Sequence, residues 1–151
     1  MPTNLYGPGD NYHPVNSHVI PALIRRFHEA KIQKAPSVTI WGSGLARREF
    51  LFVDDLSDAI IYFMSSYDVS ELGSFLNVGS NEAISIHDLS FLIKEITGYS
   101  GKIKFNTDMP DGMPKKLMDS SIANSSGWAS STSLLEGINH TYSWYKNSSG
   151  L

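Results

Sequence analysis

The side chains in this sequence best equipped for chemistry are guanidiniums and imidazoles. All four arginines occur as two adjacent pairs, Arg25-Arg26 and Arg47-Arg48, and Lys31 and Lys34 lie between the pairs. Only Glu29 opposes these six cations within that stretch. A guanidinium can hold a phosphate through two parallel hydrogen bonds, where lysine offers a point charge. The stretch therefore suits a small polyanion such as a nucleotide diphosphate. The same charges would also make an ordinary solvated helix face followed by a strand end, where each contributes little. Imidazole titrates near neutrality and can exchange protons with a substrate. The five histidines, His13, His18, His28, His87 and His140, form no tight set with carboxylates at ligand spacing, so no metal site is expected. On spacing alone, His18 reads as a histidine at a helix start, hydrogen-bonded to the preceding loop.

These residues need elements to position them. Residues 1–16 carry the breakers Gly7-Pro8-Gly9-Asp10 and His13-Pro14 and read as loop. From Ser17, the recurrence of Ile20, Leu23, Ile24 and Phe27 predicts a helix ending near Ala30 or Gln33, with Asn16 or Ser17 as its cap. Val38–Trp41 and Glu49–Val53 read as strands on either side of the Gly42-Ser43-Gly44 turn. Asp54 or Asp55 should cap a helix over 56–66 that buries Ala59, Ile60 and Phe63. Phe75–Val78 reads as a buried strand, and Ser85-Ile86-His87-Asp88 as a capping box opening a helix that stops at Gly98. A strand at 103–105, a short helix near 121–124 and a final helix over about 133–145 complete the alternation. Trp128 and Trp144 are expected to pack the final helix against the core. Short strands alternating with helices indicate an α/β fold.

Length and composition narrow the class. At 151 residues the chain suffices for one core, and residues 1–151 are expected to form a single domain. A formal charge of −3, from 12 basic and 15 acidic residues, argues against general nucleic-acid binding. No apolar run approaches the ~20 residues needed to cross a bilayer. Without a signal-like start the expected location is cytoplasmic, and zero cysteines exclude disulfides and a thiolate nucleophile within the sequence. There is no Gly-x-Gly-x-x-Gly after a strand, no Walker loop and no Gly-x-Ser-x-Gly.

Three segments together carry a resemblance: Pro2-Thr3-Asn4-Leu5-Tyr6-Gly7-Pro8, then Asn16-Ser17-His18-Val19-Ile20-Pro21, then Arg48-Glu49-Phe50-Leu51-Phe52-Val53-Asp54-Asp55. They resemble the extended short-chain dehydrogenase/reductases of the nucleotide-sugar epimerase/dehydratase group. Asn16-Ser17-His18, Trp41-Gly42-Ser43-Gly44 and Pro110-Asp111-Gly112 narrow the resemblance to the GDP-L-fucose synthase family. The similarity spans essentially the whole chain. It implies the C-terminal substrate-binding part of such an enzyme, lacking most of the Rossmann fold. The Gly-rich dinucleotide fold and the catalytic Tyr-x-x-x-Lys pair are expected to lie in a missing N-terminal half. The chain is accordingly expected to be a fragment, inactive by itself.

The resemblance implies conversion of GDP-4-keto-6-deoxy-mannose to GDP-L-fucose by 3,5-epimerisation and NADPH-dependent reduction at C4. It also implies NADP bound mainly by the other half, and a homodimer in the full-length enzyme. His18 resembles the family's epimerisation acid, whose partner there is a cysteine. Pro2, Thr3, Asn4 and Leu5, with His18, resemble the segment along the nicotinamide end of the cofactor. Arg26 and Arg48 resemble substrate-binding arginines, Trp41 an aromatic residue of the substrate pocket, and Asp111 an acceptor for guanine or ribose. Alternation along a strand places Arg48 toward the pocket and Arg47 away from it. Alternative readings are a portion of another nucleotide-sugar epimerase or dehydratase, or a non-catalytic nucleotide-sugar binding module.

Overall fold

A computed structural model of the chain describes residues 1–148. Its organising strand is β3 (Arg47–Phe52). At its end β3 pairs in parallel with β1 (Asn4–Tyr6), Asn4 opposite Phe50 and Tyr6 opposite Phe52. At its start Arg47 and Arg48 pair antiparallel with β4 (Ala83–Ser85) and parallel with β6 (Lys115–Lys116). A backbone has only two hydrogen-bonding edges, so β4 and β6 flank this start from opposite sides. A separate two-stranded parallel sheet joins β2 (Ser37–Trp41) to β5 (Lys102–Asn106).

Because strand side chains alternate, β3 separates two apolar clusters. Phe50 and Phe52 point into the larger cluster, where α1 (Val19–Ile32) supplies Ile20, Leu23, Ile24 and Phe27. Leu89 and Ile93 of α4 (Ile86–Thr97) and Ile138 and Tyr142 of α6 (Leu134–Ser148) close it. Leu51 points the other way, into a smaller cluster with Ala59 and Phe63 of α2 (Val53–Ser66), Val78 and Ala123. Between these elements lie two short helices, α3 (Val69–Leu72) and α5 (Ser121–Ser125). The expected α/β class is what the structure shows.

Several local expectations need correction. Helix α1 starts at Val19, with His18 in the capping position and no side chain capping it. The first turn tolerates this because Pro21 has no N–H to satisfy. Helix α2 begins at Val53 directly after β3, so Asp54 and Asp55 lie in its first turn rather than before it. Their charge there complements the positive end of the helix dipole. Ile60 is half exposed rather than buried. The expected strand at 75–78 reduces to one bridge, Pro2 opposite Val78, and Phe75 is exposed. Trp128 packs not on α6 but on Phe63 of α2, and its Nε1 donates to Asp58 at 3.2 Å. Of the expected capping box, the Ser85 half forms: the Asp88 N–H donates to Ser85 Oγ at 2.9 Å, while the Asp88 carboxylate accepts from Ser85 Oγ rather than from the Ser85 N–H, and Gly98 ends α4 at φ +68°.

Candidate functional site

The first turn of α1, the ends of β1 and β2, the middle of β3 and the loop after β5 enclose a cleft of about 360 Å³. Asn4, Leu5, His18, Arg26, Trp41, Arg48 and Asp111 all line it. These residues span over a hundred positions of sequence, and the sheet registers bring them together. Asn4 reaches the cleft because β1 pairs with β3 beside Phe50. A second depression of about 470 Å³ adjoins it, lined by residues 3–10, His18 and Val53, so His18, Asn4 and Leu5 face both spaces. Thr3 lies in this second space, whereas Pro2 lies in neither and is occupied by its bridge to Val78.

Arg26 is partly buried and donates to the carbonyl of Thr39. Burial, and after it the neighbouring Arg25, lowers its pKa, so an anionic partner would stabilise its charged form. Arg48 is fixed by Nη1, which donates to its own neighbour's carbonyl at Arg47, 2.8 Å, and to the Met113 carbonyl, 2.7 Å. Among the described residues its Nε and Nη2 make no hydrogen bond. Arg47 lies away from the cleft, lining a different surface and donating to the carbonyl of Ala83. Lys116, opposite Arg48 in the parallel register, shares its face of the sheet.

The six-cation region is smaller than the sequence suggests. Arg25 is held by both carboxylate oxygens of Glu29 at 3.0 Å, one helical turn away. Lys31 donates to the Thr97 carbonyl at 2.9 Å, where a cation complements the end of α4. Of the four arginines, Arg26 and Arg48 face the cleft.

Trp41 is 66 % exposed, so it is not core filling, and its ring stands at the cleft wall. Asp111 takes two hydrogen bonds from Ser43, from N–H at 2.6 Å and from Oγ at 2.7 Å. Those bonds hold its carboxyl below the usual carboxylate range. Asn4 Nδ2 donates to the Glu49 carbonyl at 2.8 Å.

Two buried carboxylates tie distant segments together, a role that the sequence reading did not give them. Glu49 is fully buried and accepts from the N–H groups of Asn81 at 2.8 Å and Met118 at 3.0 Å. It thereby ties β3 to the loops before β4 and after β6. Asp55 is 4 % exposed and accepts from Thr132 N–H and Oγ1 and from Ser131 Oγ, tying α2 to the approach to α6. The available signal was an acid placed inside an apolar strand pattern, Glu49-Phe50-Leu51-Phe52.

Tyr142 and Lys146 have the Tyr-x-x-x-Lys spacing within this sequence. The fold gives them another role. Tyr142 is buried against His28, its OH 3.0 Å from His28 Nδ1, and Lys146 Nζ lies over its ring at 4.9 Å. Neither residue lines the cleft. Among the described residues no group of three or more histidines and carboxylates is arranged to hold a metal, and no helix is long and apolar enough to cross a membrane.

Residues 1–79 match the family model described as the NAD dependent epimerase/dehydratase family. The chain belongs to that family. It is 51 % identical over 145 residues to GDP-L-fucose synthase 1 of Arabidopsis thaliana, covering 96 % of this chain and 44 % of that protein. A GDP-6-OMe-4-keto-L-xylo-heptose reductase from C. jejuni superposes with a TM-score of 0.89 at 34 % identity, over 97 % of this chain and 53 % of that one. The GDP-L-fucose synthetase of Naegleria fowleri bound to NADP superposes at 0.84 with 25 % identity, over 99 % and 46 %. This family member thus spans about half the length of the relatives it matches.

Proposed function

We propose that residues 1–151 act as the substrate-binding part of a GDP-L-fucose synthase, taking GDP-4-keto-6-deoxy-mannose toward GDP-L-fucose. The observation that carries this reading is the shared cleft, which sets two arginines, an exposed tryptophan and an imidazole around one space. Arg26 and Arg48, with Lys116 on the same face as Arg48, bind the diphosphate, and Trp41 packs on the sugar or base. His18, at the junction of the two spaces, exchanges protons at the sugar carbons flanking the ketone.

Asn4 and the depression beside β1 fit the carboxamide end of a nicotinamide, with Thr3, Leu5 and His18 around it. NADPH, when bound, supplies the hydride for reduction at C4. The rest of that cofactor is held by the part of the relatives that this chain does not match, and the complete enzyme works as a homodimer. The mildly acidic charge gives no footing for nucleic acid, and the cytoplasm is the proposed setting.

Calorimetric titration of the chain with GDP, UDP and dTDP at fixed salt tests the reading. GDP is expected to bind most tightly. Equal or tighter binding of UDP or dTDP would assign the cleft to another nucleotide-sugar epimerase or dehydratase, and no binding of any of the three would overturn the diphosphate site.

A further inference from the structure

The outer wall of the cleft is built from two irregular segments that backbone bonds hold only at their ends, Gly42 N–H to the Asn106 carbonyl at 2.9 Å on one and Arg47 N–H to the Pro114 carbonyl at 2.8 Å on the other. One is the turn after β2, where Gly42 and Gly44 both have positive φ, +79° and +81°. The other is the 107–114 loop, which leads from β5 to β6. Ser43 joins them through two hydrogen bonds to one carboxylate, N–H to Asp111 Oδ1 and Oγ to Asp111 Oδ2. The approach is close enough to dictate the neighbouring residue: a Cβ on Gly42 would stand 2.3 Å from Asp111 Oδ1. Two residues beyond Asp111, the Met113 carbonyl accepts from Arg48 Nη1 at 2.7 Å. A chain of contacts therefore runs from Ser43 through Asp111 and the 111–113 backbone to Arg48.

We propose that Ser43 is a positioning residue for the diphosphate site, clamping Asp111 so that the Met113 carbonyl aims Arg48 into the cleft. The proposal rests on the reading of the cleft given above. Its physical basis is preorganisation. An arginine already held by two carbonyls surrenders little rotamer freedom when an anion arrives, whereas a loose one must be ordered at that moment. Both Asp111 oxygens accept from Ser43, and the resulting drop in the Asp111 pKa is the spectroscopic mark of the clamp.

The experiment uses the full chain, isotope-labelled, as wild type, Ser43→Ala, Ser43→Thr and Asp111→Asn. Three readouts are taken: the carboxyl titration of Asp111 where it is present, the order of the Arg48 guanidinium, and GDP affinity by calorimetry. In Ser43→Ala, Asp111 is expected to return toward the ordinary carboxylate range, Arg48 to lose order, and GDP binding to weaken roughly three- to ten-fold, the worth of about one hydrogen bond. Asp111→Asn should loosen Arg48 from the other end of the clamp, and Ser43→Thr, which keeps the hydroxyl, should behave as wild type. Arg48 remaining as ordered in both Ser43→Ala and Asp111→Asn as in wild type would overturn the clamp. Undiminished GDP affinity in Ser43→Ala, with Arg48 loosened, would overturn the positioning role. Failure of the wild-type chain to bind GDP would instead remove the diphosphate reading, leaving the clamp to be judged by Arg48 order alone.

Discussion

The two faces of β3 treat charge in opposite ways. On one face Glu49 is buried and its carboxylate oxygens accept from two backbone donors, Asn81 and Met118. On the other face Arg48, one residue away, is only partly buried and is anchored through a single nitrogen. A buried charge must be satisfied by the protein or it destabilises the fold. A charge at a cleft that is only half satisfied can be completed by a ligand. Adjacent residues of one motif are thus divided between holding the fold and meeting the substrate, and strand alternation is what divides them.

That division predicts that substitutions on the cleft side change chemistry and binding while leaving stability alone, and that those on the Glu49 side do the reverse. The largest effect is expected at His18. In a version extended to the full length of the relatives, His18→Gln should slow epimerisation by roughly 10²–10⁴, the usual worth of a positioned acid or base. Incorporation of solvent deuterium into the sugar isolates this step from reduction, and unchanged incorporation would return His18 to a helix-start role. Glu49→Ala should instead unfold easily, since it takes away the buried carboxylate that accepts from the N–H groups of Asn81 and Met118, a loss of roughly 1–3 kcal/mol. Urea denaturation measures it, and a loss below about 1 kcal/mol would mean that water replaces the carboxylate.

Arg48→Lys comes next and is the sharpest test of the contrast. It keeps the charge but loses the bidentate geometry, and should weaken GDP-sugar binding roughly ten- to a hundred-fold with no change in urea midpoint. Arg47→Lys should do almost nothing to binding, because Arg47 lies outside the cleft. Equal affinities for the two variants, by calorimetry at fixed salt, would break the assignment of faces.

Much of this was legible in the sequence because it depends on period and on local motifs. The Ile20, Leu23, Ile24, Phe27 spacing marks the buried side of α1, and the Ser85 and Gly98 boundaries of α4 are set by short-range chemistry. Alternation alone separates Arg48 from Arg47. What the sequence could not show is decided by contacts between distant segments. The 75–78 segment has strand composition, yet only Val78 finds a partner, at Pro2. Trp128 meets α2 rather than α6, and the partners of Glu49 lie 32 and 69 residues away. The positive stretch was overread for the same reason: the Lys31 partner, Thr97, is 66 residues distant.

The smallest expected effect refines the comparison on the Arg48 side, where one ionisable group is buried with half its hydrogen-bonding unmet. His28 is 6 % exposed within the larger cluster, between Tyr142 and Tyr145. Its Nδ1 pairs with Tyr142 OH at 3.0 Å, and its Nε2 has no partner among the described residues. Burial first, then the positive charge of Lys31, with Glu29 opposing and Lys146 adding slightly, lowers its pKa. A histidine whose pKa is lower folded than unfolded binds its proton more readily in the unfolded chain. Stability should therefore be fully present above the unfolded value of about 6.5 and decline as pH falls through and below it. Replacing His28 by Phe removes the titration and keeps a ring among the tyrosines. Urea midpoints compared at several pH values between 7.5 and 5.5 should fall less steeply in His28→Phe than in wild type. Identical slopes would show that the two faces of β3 do not differ in this respect, and that His28 is as well satisfied as Glu49.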